Sequence, residues 1–133
     1  MKRIFIITLI ICLAALPLFT GCGLSDTVEG FVVSEAQLAD RSAIENAKQP
    51  SELAAGKDLY ACVSFIESPK GMKYTINWIL DGQSVKTEDK ATATEPRSVI
   101  VYTIEKAKLH AGALKVQILY QDTVLAEKDV TVK

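Results

Sequence analysis

The stretch YTINWILDGQ, residues 74–83, decides the fold that is predicted for this chain. A period of two places its alternate apolar residues on one face of a β-strand: Tyr74, Ile76, Trp78 and Leu80. Asp81-Gly82 follows at once, and this dipeptide favours a tight hairpin because both central positions of the preferred turn need a positive φ. Residues 83–86 are therefore predicted to return as the next strand, with Trp78 in the core.

The same alternation recurs on both sides of this hairpin and predicts about seven short strands. They cover residues 31–34, 59–65, 74–80, 83–86, 98–104, 114–120 and a last strand ending at 130–132. Polar loops are predicted at 68–73, 87–97 and 106–112. Residues 35–56 leave two alternatives open, a short helix from an Asp40 cap through Asn46 or an irregular crossing between sheets. Short strands with turn signals at near-regular spacing predict an all-β sandwich.

Residues 58–133 resemble the bacterial immunoglobulin-like domains found on cell-surface lipoproteins. The resemblance rests on Trp78 in a central strand, on AGALKVQILY at 111–120, where a glycine precedes a late strand, and on Val-Thr-Val at 130–132. It implies an immunoglobulin-like β-sandwich. The chain departs from antibody-type domains because Cys62 has no partner cysteine on the 114–120 strand.

The chain begins with the three parts of a secretory signal peptide: a basic pair at 2–3, an apolar run at 4–19 and small residues through 21. A membrane-spanning helix is the alternative. A span needs about 20 consecutive apolar residues, and this shorter run contains Thr8 and Pro17. We therefore expect an export segment at 1–21, a tether at 22–30 and the immunoglobulin-like domain at 31–133.

Leu18-Phe19-Thr20-Gly21-Cys22 resembles the lipobox of bacterial lipoproteins. Gly21 and Cys22 match it, Thr20 is a tolerated small residue, and Phe19 departs from the favoured Leu. The resemblance implies that Cys22 carries a diacylglyceryl group with palmitate-type chains and that the protein sits, lipid-anchored, at the extracytoplasmic face of a bacterial membrane. Two acyl chains give lasting attachment where one does not. The alternative is plain secretion with Cys22 as an ordinary cysteine.

Removal of residues 1–21 leaves 112 residues, enough for one domain. The basic residues then fall from 15 to 13 against 16 acidic ones, a net charge of about −3. Such a domain has no electrostatic reason to bind nucleic acid, which requires clustered Lys and Arg. Cys62 becomes the only cysteine besides Cys22, so no intramolecular disulfide is expected. It is either an inert core residue on a covered face or an exposed free thiol.

No group of residues predicts catalysis, a cofactor or a metal. His110 is the only histidine and is read as a surface residue, because a triad or a zinc site needs further partners. The carboxylate pairs Glu88/Asp89 and Asp122/Glu127 are read as solvated charges, and Glu88, Asp89 and Thr92 are too few oxygen ligands for calcium.

Three functions are therefore weighed. The first is a lipid-anchored, non-catalytic module that binds a protein or glycan at the cell envelope. The second is a structural or assembly accessory of an envelope complex, and the third, disfavoured by the residue inventory, is a small envelope enzyme. The functional surface is expected in the three polar loops or on the less apolar sheet face, the one that carries Tyr60.

Overall fold

A computed structural model describes residues 27–66, 68–93 and 97–133, so the predicted export segment and Cys22 lie outside the described residues. The described chain contains two sheets. The strands are β1 (Val28–Ser34), β2 (Glu52–Leu53), β3 (Leu59–Phe65), β4 (Lys73–Leu80), β5 (Gln83–Ala91), β6 (Val99–Ile104), β7 (Gly112–Tyr120) and β8 (Thr123–Val132). The three-stranded sheet has the order β1-β3-β6, and the five-stranded sheet has the order β2-β8-β7-β4-β5. The all-β prediction is confirmed.

The core lies between the two sheets and consists of inward-facing residues of every described strand except β5, which contributes only the partly buried Val85. In β4 these are the four residues predicted from the period of two, and Trp78 is fully buried. The rings of Phe65 and Tyr74 stack with their centroids 4.2 Å apart, which joins one sheet to the other. Burying an aromatic side chain of this size contributes a large share of core stability.

The hairpin predicted at Asp81-Gly82 is present, with positive φ at both residues (51° and 83°). A second two-residue turn at Gln121-Asp122 joins β7 to β8. Each hairpin has a register shift two residue pairs away from its turn, between Trp78 and Ile79 and between Ile118 and Leu119. The extra residue of each returning strand packs against the core, so both bulges place one more apolar side chain inside.

A short helix, α1 (Arg41–Asn46), resolves the ambiguity of residues 35–56 in favour of the helix. Asp40 precedes it, but the Asp40 side chain makes no capping hydrogen bond. Ile44 packs with Val32 and Cys62 into a second apolar cluster on the outer side of the three-stranded sheet. Tyr60 packs against this cluster, so the face expected to be a free functional surface is covered by the chain itself.

Three strand boundaries differ from the sequence analysis. β1 begins at Val28, so residues 28–30, assigned to the tether, belong to a strand. β5 continues to Ala91 where a polar loop was predicted from 87 onward. It is an edge strand with polar residues on both sides, a pattern that periodicity cannot distinguish from a loop. The two-residue β2 was not predicted, because only its parallel pairing with β8 defines it. Within the described ranges, no helix is long and apolar enough to cross a membrane.

Candidate interaction face

The outer side of the five-stranded sheet is a flat, solvent-facing surface, which we call the open face. It consists of the outward-pointing residues of β4, β5, β7 and β8, which alternate with the buried core residues. Its central row runs across four strands through directly paired residues: Thr87, Asn77, Gln117 and Glu127. These side chains are polar, so the row is rich in hydrogen-bonding groups, and the outward-facing Ile79 and Leu119 beside it are partly buried.

Side-chain hydrogen bonds fix the β4–β5 part of the open face. The hydroxyls of Ser84 and Thr87 donate to Oδ1 of Asn77 over 2.5 and 3.2 Å. Thr75 donates to Oδ1 of Asp89 over 2.5 Å. Two donors on one carboxamide oxygen hold Asn77 in one orientation, because flipping the amide would place its nitrogen against both hydroxyls. The face is therefore pre-ordered, which lowers the entropy cost of binding.

A groove of about 610 Å³ lies at the end of the open face next to the Asp81-Gly82 turn. Its lining combines small residues such as Ser51 and Gly82 with the apolar side chains of Ile79, Leu114 and Val130. Lys115 and Asp129 are direct cross-strand partners on its wall, so the groove offers both a cation and an anion. Lys115 Nζ also lies 3.5 Å from the carboxylate of Glu127 in the central row.

The polar loops occupy the two ends of the sandwich. At one end, Gly71 and Gln121 line the same shallow depression, and the 68–73 loop is joined to Thr92 by hydrogen bonds such as Gly71 N–H to Thr92 O at 2.9 Å. At the other end, the 106–112 loop begins with a 3₁₀ turn at Lys106–Lys108, whose first N–H donates to Asp58 Oδ1 over 2.8 Å. Hydrogen bonds to other segments hold these loops in place, and because the loops lie at opposite ends of the sandwich they do not form one site.

The residues considered for chemistry are not brought together. The His110 side chain is 64% exposed, with Nδ1 3.8 Å from Asp81 Oδ2, as expected of a surface histidine. Glu88 and Asp89 are neighbours on β5 and therefore point to opposite sides of the sheet. No three His, Cys, Asp or Glu side chains are grouped as for a metal ion in the described ranges.

Cys62 lies on the covered face, beneath α1 and fully buried. Burial raises the pKa of the thiol, while a hydrogen bond from the Leu38 N–H to Sγ at 3.4 Å opposes that rise. A thiol that is both buried and protonated is a poor nucleophile. Of the two alternatives left by the sequence, the structure therefore supports the inert core residue.

The sequence analysis places the functional surface in the three polar loops or on the Tyr60 face, and the open face is not among these expectations. The signal that identifies it is present in the sequence: the outward positions of the 74–80 and 114–120 strands carry Thr75, Asn77, Lys115 and Gln117. What the sequence does not show is that the 35–50 segment covers the other sheet.

No protein-family model and no curated protein matches the sequence. Among solved structures, the chain is similar to an immunoglobulin-like protein of Pseudomonas aeruginosa, with a TM-score of 0.52, 17% identity and coverage of 80% of this chain and 95% of that one. It is also similar to an alkylpurine DNA glycosylase of Pseudomonas fluorescens, with a TM-score of 0.50 and 11% identity over 80% of this chain and 30% of the glycosylase. A β-glucosidase of Listeria innocua matches with a TM-score of 0.48 and 14% identity, over 65% of this chain and 15% of that one.

Identities this low establish the fold alone. Two antiparallel sheets packed face to face, with the strand order described above and a solved immunoglobulin-like protein matched over most of both chains, define an immunoglobulin-like β-sandwich.

Proposed function

We propose that the protein is a non-catalytic interaction module of the bacterial cell envelope that binds a partner through its open face. The observation that carries this proposal is the difference between the two sheets. The outer side of one sheet is buried under α1 and the 35–50 segment, whereas the outer side of the larger sheet carries a row of polar residues across four strands. Because a segment of the chain covers the outer side of the three-stranded sheet, the open face is the sheet surface that we expect a partner to bind.

The chemistry of the open face favours a protein partner over nucleic acid or a ligand that needs a deep cleft. Its charged residues include both Lys115 and the carboxylates of Glu127 and Asp129, so it does not form the basic surface that nucleic acid requires. Mixed charges among amide and hydroxyl groups match the polar composition of non-obligate protein interfaces. A glycan partner is the second possibility, and binding measurements distinguish the two.

The proposed anchor gives this face an orientation. The Ile66 N–H donates to Thr27 O over 2.8 Å, so the chain enters the domain at the end that carries the 68–73 loop. Cys22 precedes Thr27 by five residues, which span at most about 18 Å. A lipid on Cys22 would hold that end near the membrane. β4 begins at that end and the antiparallel β7 finishes there, so the strands of the open face would stand upright from the membrane, with the face accessible from the side.

The test of the open face is a pair of arginine variants of the tagged protein in its native cells. Gln117→Arg places a long cation in the centre of the central row, and Ser42→Arg places the same side chain on α1, on the covered side. We expect Gln117→Arg to lower partner recovery at least tenfold while Ser42→Arg leaves it unchanged, with both variants folded by circular dichroism. Equal recovery with both variants would refute the open face as the binding surface.

The identity of the recovered partner distinguishes the remaining alternatives. A subunit of an envelope complex whose assembly fails without this protein would favour the accessory role. A free protein or glycan ligand would favour a binding role. Hydrolytic or transferase activity lost in a variant of His110 or of the Glu88/Asp89 pair would favour the enzyme.

A further inference from the structure

One edge of the three-stranded sheet is apolar in sequence. β6 forms this edge and has the sequence VIVYTI, six β-branched or aromatic residues without charge, proline or glycine. Such a segment is the typical signature of strands that pair with other chains. An edge strand also presents unpaired N–H and C=O groups, and natural proteins protect such edges. The contacts of β6 show how this edge is protected.

Two lysines of β5, in the other sheet, bind the free carbonyls of β6. Lys90 Nζ donates to Val101 O over 2.8 Å, and Lys86 Nζ donates to Thr103 O. Lys86 Nζ also donates to Glu105 Oε1 over 3.0 Å. A residue of an antiparallel strand directs its N–H and C=O to the same side, so Val101 and Thr103 carry the edge groups. The two ammonium groups occupy the acceptors that an added strand would use.

The other edges of the two sheets do not offer a comparable strand. On β1, the Gln49 carboxamide accepts from Val33 N–H and donates to Val33 O, both over 2.8 Å, and so replaces a neighbouring peptide group. β2 has only two residues, and β5 carries charged residues along its length. In the described part of the chain, β6 is the apolar edge, and side chains from a different sheet cover it.

We propose that Lys86 and Lys90 block the addition of another strand to the β6 edge. When both lysines are removed, this edge pairs with β6 of a second copy of this chain. Two antiparallel VIVYTI strands place no like charges opposite each other, and each supplies the N–H groups that the other's carbonyls need. Val99 and Val101 already pack against the apolar cluster beneath α1, so a second copy would extend that cluster. This edge is separate from the open face, and the inference does not depend on the proposed function.

The test compares oligomeric state in the purified full chain, by sedimentation equilibrium in density-matched nonionic detergent. Lys86→Met/Lys90→Met removes both ammonium groups and keeps the aliphatic stems that pack on the sheet. We expect the native protein to be monomeric and the double variant to dimerise with a dissociation constant at least tenfold lower. Amide hydrogen exchange at Val101 and Thr103 should slow at least tenfold in the variant.

Two controls distinguish strand addition from nonspecific association. Lys57→Met/Lys133→Met makes the same chemical change at two surface lysines that pair with Glu35 and Glu52, and it should stay monomeric. Adding Thr103→Pro to the double variant removes an edge N–H, which edge strands tolerate, and should restore the monomer. Because Glu88 Oε1 is buried 3.9 Å from Lys86 Nζ, a second version of the double variant carries Glu88→Gln to preserve folding.

The proposal is overturned if the folded variant, in either version, remains as monomeric as the native protein. It is also overturned if the variant associates equally with and without Thr103→Pro, or if it captures unrelated strands rather than itself. A native dimer with protected Val101 and Thr103 amides would show that the lysines guard nothing.

Discussion

The Tyr102 hydroxyl donates a hydrogen bond to the main-chain oxygen of Tyr74, 2.7 Å away, across the interior of the sandwich. Tyr102 lies on β6 and Tyr74 on β4, so this bond joins the three-stranded sheet to the five-stranded one. Burial, together with the carboxylates of Glu88 and Asp89, raises the pKa of Tyr102, which keeps the hydroxyl protonated as a donor. The bond fixes the relative position of the two sheets and with it the shape of the open face.

Removal of this hydroxyl should destabilise the domain. We expect Tyr102→Phe to lower the free energy of unfolding by about 1–2 kcal/mol, because a buried bond is lost and a buried acceptor loses a donor. Urea titration measures the change. Tyr60→Phe is the matched control, since the Tyr60 hydroxyl has no hydrogen bond to any other described residue, and it should change stability by less than about 0.5 kcal/mol. Equal losses in both variants would contradict a special role for Tyr102.

The Cys62 thiol should be unreactive in the folded protein. Its pKa is raised by burial beneath α1, and the thiolate is the reactive form. We expect a colorimetric thiol reagent at pH 8 to label Cys62 only after denaturant is added, at least a hundredfold faster than before. Ser42→Cys, on the exposed side of α1, provides a thiol that should react at once under native conditions. Rapid labelling of native Cys62 would show that α1 does not cover this face.

The pKa of the Glu105 carboxyl should lie below its ordinary value, chiefly because Lys86 donates a hydrogen bond to it. A carboxyl with a lowered pKa in the folded state adds stability at neutral pH, and this contribution is lost as the pH falls through the folded-state pKa. Lys86→Met should return the pKa of Glu105 toward 4.5, as followed by NMR. The lowered pKa of Glu35, caused by Ala54 and Lys57, should stay unchanged in the same sample.

Cys22 should decide whether the protein is held at the membrane. We expect Cys22→Ser to move the protein from the detergent phase to the aqueous phase in a two-phase separation, or to leave it unprocessed, because the proposed diacylglyceryl group would be attached to the Cys22 thiol. Cys12→Ser, in the predicted signal peptide, should partition like the native protein. A processed Cys22→Ser protein that stays in the detergent phase would contradict the anchor.

The sequence is sufficient to predict the strands that bury one face fully. The 74–80 strand alternates buried and outward residues throughout and the 114–120 strand does so over most of its length. The 59–65 strand is buried on both faces, and the Asp81-Gly82 turn has the dipeptide that its φ angles require. These features are local, since each depends on residues within about ten positions of one another. For the same reason Trp78 could be assigned to the core without knowledge of the partner sheet.

The features that the sequence could not supply depend on contacts between distant segments. β2 exists only through its pairing with Thr131 and Val132. The outer half of β5 is a strand because it pairs with β4 in register, although its residues are polar on both sides. The Tyr60 face is covered because Ile44, far along the chain, packs on Cys62. The choice of the open face over the Tyr60 face follows from that one long-range contact.

Site-specific photocrosslinking in living cells directly tests whether the open face binds the partner. A benzophenone amino acid at position 117 lies in the centre of the open face, and the same residue at position 42 lies on α1, over the covered sheet. We expect one dominant cross-linked partner from position 117 and at least tenfold less product from position 42. A partner that cross-links from position 42 with equal or higher yield, or none from position 117 while the 68–73 or 106–112 loops give one, would contradict it.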